Sequence, residues 1–170
     1  MPIYFAYGSN MDVEAMAQRC PRSRPIGLGR LARRRITLLP EGFANVLRDP
    51  RRQVHGVIWD LALADVRALD AYEDVGSGLY RKVIQPVLRA QGGPVQALVY
   101  IGRGEGGLPV PGYLEGVLQA ARGWKLPEAY LAELSALAPH VRDPSPPRTQ
   151  TAEAERPKVR PRFATPFDRS

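Results

Sequence analysis

The sequence predicts an α+β domain built on a curved mixed sheet of the kind that closes into a barrel. Two observations point there. Strand-like apolar runs and helical periods alternate unevenly, which disfavours a doubly wound parallel sheet. The patterned region then ends near Pro139, leaving one domain, residues 1–138, and a tail, residues 139–170. The chain has 170 residues, of which 44% are hydrophobic, enough to bury a substantial core without disulfides.

The elements follow in order. Ile3–Tyr7 is a short aromatic-rich strand that stops at Gly8. Met11–Cys20 has the pattern of a short helix, with Asn10 or Asp12 as its cap and Val13, Met16 and Ala17 facing inward. Ile36–Leu39 and Val54–Leu61 read as strands, the second with Val57, Trp59 and Leu61 on one face. Leu63–Glu73 has helical period. Tyr80–Leu88 is a strand, broken or edged at Pro86, and Val95–Ile101 has the pattern of a buried strand. Two helices close the domain, Gly112–Gly123 and Pro127–Leu137, with Pro127 suited to a first turn and Gly123 to an end. The tail holds seven prolines and few large apolar residues. It cannot bury enough surface to offset its ordering entropy, and disorder is expected there.

Composition removes several function classes. No apolar run approaches about 18 residues, so no spanning helix is expected. The N-terminus reads as a strand rather than a signal peptide. Cys20 is the sole cysteine, and His55 and His140 are the only histidines, so disulfides and thiolate or multi-histidine metal sites are not expected. A reducing cytoplasm suits such a chain. The net charge of +7 is carried by arginine, since only three of the 24 basic residues are lysines. It permits anionic partners without demanding them.

Gly27-Leu28-Gly29-Arg30-Leu31-Ala32 matches the spacing of a dinucleotide fingerprint, but the flanks lack the strand and amphipathic helix that make it work. Arg22–Arg52 contains nine arginines against Glu41 and Asp49. Strand neighbours point to opposite faces and no aromatic residues interleave for base stacking. The run therefore reads as a solvated basic face, and nucleic acid is not expected as a partner. Ser9 follows a strand but lies outside a G-x-S-x-G context and has no well-placed histidine.

Two features carry chemistry. The turn Tyr7-Gly8-Ser9-Asn10 joins a strand to a helix start, where free N–H groups and polar side chains suit a carboxylate or an oxyanion. An ordinary capped turn would look the same. Val66, Leu69 and Glu73 are spaced three and four apart and share one helical face. Glu73 thus stands where a leucine is expected. Burial would raise its pKa and make it an acid/base near neutral pH. A helix-end glutamate that swings into water is the other reading.

Tyr4-Phe5-Ala6-Tyr7-Gly8-Ser9-Asn10 and Asp70-Ala71-Tyr72-Glu73-Asp74-Val75-Gly76-Ser77-Gly78-Leu79-Tyr80 resemble the gamma-glutamylcyclotransferase family, or AIG2-like superfamily. Val54-His55-Gly56-Val57-Ile58-Trp59, Pro111-Gly112-Tyr113 and the stretch from Gly123 to Tyr130 add to the resemblance, which spans about residues 3–138. It implies a small mixed β-barrel flanked by short helices. It also implies an enzyme that cyclises a gamma-glutamyl group to 5-oxoproline and releases an amino acid or amine. No metal or cofactor is implied. Glu73 matches the family's acid/base glutamate, Tyr4 to Asn10 its substrate-binding strand and turn, and Tyr113 a substrate-contacting tyrosine. Within the superfamily the leaving group can be an amino acid, another amine or the remainder of glutathione. Tyr-Gly-Ser-Asn is similar to the turn of the amino-acid enzymes. A basic binding module on the same fold is the non-enzymatic alternative.

Overall fold

The computed structural model describes residues 1–139. Apart from Pro139, the expected tail 139–170 lies outside the described residues. The chain forms β1 (Ile3–Ala6), α1 (Val13–Arg19), β2 (Arg24–Leu38), β3 (Ala44–Asp60), α2 (Val66–Tyr72), β4 (Tyr80–Arg89), β5 (Pro94–Gly102), α3 (Tyr113–Gly123) and α4 (Glu128–Ser135). The strands close a barrel in the order β1-β3-β2-β4-β5. β5 returns to β1 in parallel, with Tyr4 beside Leu98; the other seams are antiparallel. The α+β barrel expected from the sequence is the observed fold.

Closure explains the burial pattern of β3. Val57, Ile58 and Trp59 are consecutive, so they point alternately into and out of the barrel, yet all are buried. One face fills the barrel and the other is covered. Phe5, Leu61 and Leu69 are also wholly buried, and each such side chain contributes about 1.5–3 kcal/mol.

β2 and β3 form one long hairpin, from Arg24 opposite Asp60 to Leu38 opposite Ala44. This corrects the short strands expected at Ile36–Leu39 and Val54–Leu61. The added residues are largely polar, with Leu31 buried between exposed Arg30 and Ala32, and hydrophobicity alone does not reveal such a strand. The hairpin turns at Gly42, whose φ of +87° and closeness to the Leu108 carbonyl exclude a side chain.

Other expectations shift locally. Asp12 caps α1 by accepting from the Glu14 and Ala15 amides, and the buried positions are Met16 and Cys20, four apart. Val13 and Ala17 face solvent instead. Leu63–Asp65 forms a separate 3-10 turn before α2. Asp65 is buried, its carboxylate accepting from the Arg22 amide at 2.9 Å and Ser23 Oγ at 2.8 Å. Pro127 is the cap residue of α4 rather than part of its first turn.

Candidate active site

A polar cavity forms where β1 runs into the 3-10 turn Ser9–Met11, beside the end of α2 and the start of α3. Tyr4, Tyr7, Gly8, Ser9, Asn10, Glu73 and Tyr113 line it, all expected from the sequence. Phe5 and Ala6 do not. They are buried in the barrel core, and Phe5 packs its ring near Gly56. Ala44, Tyr80 and Tyr100 complete the lining and were not anticipated.

Glu73 is the C-terminal cap residue of α2, its amide donating to the Leu69 carbonyl at 2.9 Å. Its carboxylate turns inward, where Oε1 accepts from Asn10 Nδ2 at 2.8 Å. The same Asn10 amide donates to the Tyr4 hydroxyl at 3.0 Å. Asn10 Oδ1 accepts from Arg19 Nη1 at 2.6 Å, which fixes the orientation of the carboxamide. Arg19 in turn lies over the Tyr72 ring, 3.5 Å from its centroid, and Tyr72 and Ser9 share a hydroxyl contact at 2.9 Å.

These contacts set the protonation states. Burial pushes Glu73 up to about 7, against the opposing pull of the Arg19 charge and of hydrogen bonds from Asn10 and Tyr4. Tyr4 and Tyr7 are raised well above the usual phenol value, chiefly by burial. Tyr113 rises to about 12 for the same reason. At neutral pH the cavity therefore combines protonated phenols with one carboxyl near its titration point.

Tyr113 sits against the turn. Its hydroxyl accepts from the Ala44 amide at 3.1 Å, and the Ser9 amide faces it. Tyr80 donates to the Ala44 carbonyl at 2.6 Å. A Cβ on Gly8 would lie 2.9 Å from the Tyr113 hydroxyl, so glycine permits this close approach. Tyr100 donates to Asp70 Oδ1 at 2.6 Å, and Lys82 pairs with the same carboxylate. A second, more apolar cavity adjoins the first, sharing Ser9, Glu73, Tyr80 and Tyr113 and adding Phe43, Tyr72 and Leu79.

Arg19, Tyr72, Tyr80 and Tyr100 escaped the sequence reading. For Tyr72 a signal existed, since it precedes Glu73 directly. The others reach the cavity only through folding. Among the described residues no group of three or more His, Cys, Asp or Glu is placed to hold a metal ion. No helix there is long and apolar enough to cross a membrane.

The closed mixed barrel with its flanking helices has the gamma-glutamylcyclotransferase-like fold. The AIG2-like family model matches residues 53–134. Gamma-glutamylcyclotransferase from Mus musculus is 28% identical over 149 residues, covering 81% of this chain and 79% of that one. The Homo sapiens protein of the same name is 27% identical with the same coverage. A solved gamma-glutamyl cyclotransferase superposes with a TM-score of 0.75 at 24% identity, covering 85% of this chain and 92% of its own. The crystal structure of an uncharacterised Homo sapiens protein superposes with a TM-score of 0.73 at 25% identity, covering 89% and 93%. In sequence and fold the chain is thus similar to AIG2-like and gamma-glutamylcyclotransferase proteins.

Proposed function

We propose that the protein is a gamma-glutamyl cyclotransferase in which Glu73 is the general acid/base. The observation that carries this reading is Glu73 itself, held inward by Asn10 with its pKa raised to about 7. The substrate's own α-amine attacks its γ-carbonyl carbon. The Glu73 carboxylate takes the proton that the ammonium must lose. A C–N bond forms, closing a five-membered ring and leaving charge on the carbonyl oxygen. Glu73 returns the proton to the leaving nitrogen, the old C–N bond breaks, and 5-oxoproline and a free amine depart.

No protein nucleophile is needed, because the attack is intramolecular and orientation supplies much of the acceleration. The protonated phenols of Tyr4 and Tyr113, beside the Gly8-Ser9 turn, are the donors for the substrate carboxylate and the oxyanion. Tyr7 and Asn10 shape the same wall. The adjoining cavity is lined by Phe43, Tyr72 and Leu79 and has no cationic side chain in its lining. That favours a small apolar leaving group over the charged remainder of glutathione.

The test is 5-oxoproline release from gamma-glutamyl dipeptides, gamma-glutamylamines and glutathione, with Glu73→Gln as control. No release from any of them would leave the binding-module alternative. We assign the activity to residues 1–138. Removing 142–170, whose sequence lacks a periodic apolar face, is expected to leave turnover unchanged, and a large loss would overturn that boundary.

A further inference from the structure

The β2–β3 hairpin and α4 enclose a groove that shares no lining residue with the cavity around Glu73. Arg30, Arg33, Arg51 and Arg52 line it, with His55 and Tyr130. A second recess shares Arg30 and His55 with it and adds Arg89 and Lys125. Among the described residues, Arg52 alone of these cations is ion-paired, to Glu133 at 3.1 Å.

The hairpin gathers these arginines through an irregularity. Register passes from Ala32 opposite Gln53 to Arg34 opposite Arg48, so Arg33 stands alone against residues 49–52. Arg33 adopts a φ of +58° there. Alternation along a regular strand would send Arg51 and Arg52 to opposite faces. At this bulge both line the same groove.

A second observation is independent of charge. Tyr130 is 3% exposed, and its ring packs against His55 at 5.0 Å between centroids. Its hydroxyl has no hydrogen-bond partner among the described residues. The His55 amide approaches the phenol oxygen but falls short of a hydrogen bond, and the hydroxyl proton has no acceptor. A buried donor left unpaired is costly, and this one borders a groove rich in unpaired cations.

Guanidinium forks match phosphate oxygens in pairs. Several free cations against one already paired glutamate call for more negative charge than a single carboxylate carries. No exposed aromatic side chain lines the groove to stack bases, and Tyr130 belongs to a recess, not a track. We propose that this groove binds a multivalent phosphate group carried by a small molecule, with the arginines holding its charge and the Tyr130 hydroxyl, buried behind the lining, turning to donate to one of its oxygens. This site goes beyond the cyclotransferase reading and does not depend on it.

The experiment is calorimetric titration of the full chain with inorganic pyrophosphate in salt of about 150 mM, where loose surface attraction is screened. One saturable site per chain is expected. Arg30→Gln, Arg51→Gln and Tyr130→Phe should each weaken it about tenfold, the scale of one hydrogen bond to a charged group. Tyr130→Phe removes only the unpaired hydroxyl, so its thermal unfolding should be unchanged or later. Arg67→Gln, an exposed arginine on α2, should change nothing. Absence of saturable binding overturns the site. So does equal weakening by Arg67→Gln, indifference to Tyr130→Phe, or citrate binding as tightly as pyrophosphate. Affinity for random duplex DNA that exceeds pyrophosphate and grows with length would mark a nucleic-acid surface instead, and would equally overturn it.

Discussion

Asn10 donates its side-chain amide to Glu73 at 2.8 Å across 63 residues of sequence. The contact ties the turn after β1 to the end of α2. Because Arg19 holds the other end of the same carboxamide at 2.6 Å, Asn10 relays between a cation and the carboxylate that lines the cavity. Most of the site's behaviour should follow from this link.

Glu73→Gln keeps the size of the side chain and can still accept from Asn10, but it cannot take a proton from an ammonium. Turnover of a gamma-glutamyl substrate is expected to fall on the order of 10²–10⁴-fold, the range for losing a general acid/base. The Michaelis constant should change less. Steady-state kinetics on the folded variant checks this, and a fully active variant would remove Glu73 from the mechanism.

The raised pKa of Glu73 has a defined sign for stability. The folded state holds this proton up to about pH 7, whereas the unfolded chain releases it near 4.5. Between those values the native state binds more protons, so stability falls as pH rises through the window and levels off above it. The loss is on the order of 3 kcal/mol. Urea unfolding at pH 5 and pH 8 should show this decline in the parent and a smaller one in Glu73→Gln. In the proposed mechanism the base form is the active one, so kcat/KM should rise with pH through a midpoint near 7.

Arg19 touches Asn10 and Tyr72 and is expected to act as a positioning residue. Its charge lowers the Glu73 pKa, and its guanidinium orients Asn10. In Arg19→Met the acid limb of the kcat/KM profile should move upward by up to about one unit. Arg19→Lys should restore part of the shift, because it keeps the charge and loses the planar fork. An unmoved profile in both variants would confine Arg19 to packing on Tyr72.

Gly8 meets the Tyr113 hydroxyl at a distance that leaves no room for a Cβ. Gly8→Val should raise the Michaelis constant strongly and destabilise the fold by about 1–3 kcal/mol through overpacking. In Gly8→Ala the shortest contact is with the Tyr113 hydroxyl, with Ala44 Cβ next at 3.3 Å, so adding Tyr113→Phe should recover part of the lost stability. Thermal unfolding of the single and double variants measures that recovery, and purely additive losses would place the strain elsewhere.

Local pattern by itself determined a good deal of this protein. The helical phase of Val66, Leu69 and Glu73 put Glu73 on the apolar face, because a period of 3.6 residues is set by the backbone within one element, but it left open a swing into water that the Asn10 contact decides. The Gly8-Ser9-Asn10 turn was legible because glycine and capping residues act locally. Tertiary structure alone decided the rest. Tyr100 enters the cavity wall from β5, which closes on β1 through a parallel seam that no neighbouring residue predicts. Tyr80 reaches the site from β4 by bonding the Ala44 carbonyl on β3, and Arg19 reaches it through Asn10. The polar half of the β2–β3 hairpin was illegible for a related reason. Its pairing is held by ladder hydrogen bonds, which every sequence can make, and not by an alternating apolar face. Contacts within a turn of helix are written in spacing; contacts across a barrel exist only once the seams have closed and apolar burial has offset the entropy of bringing distant segments together.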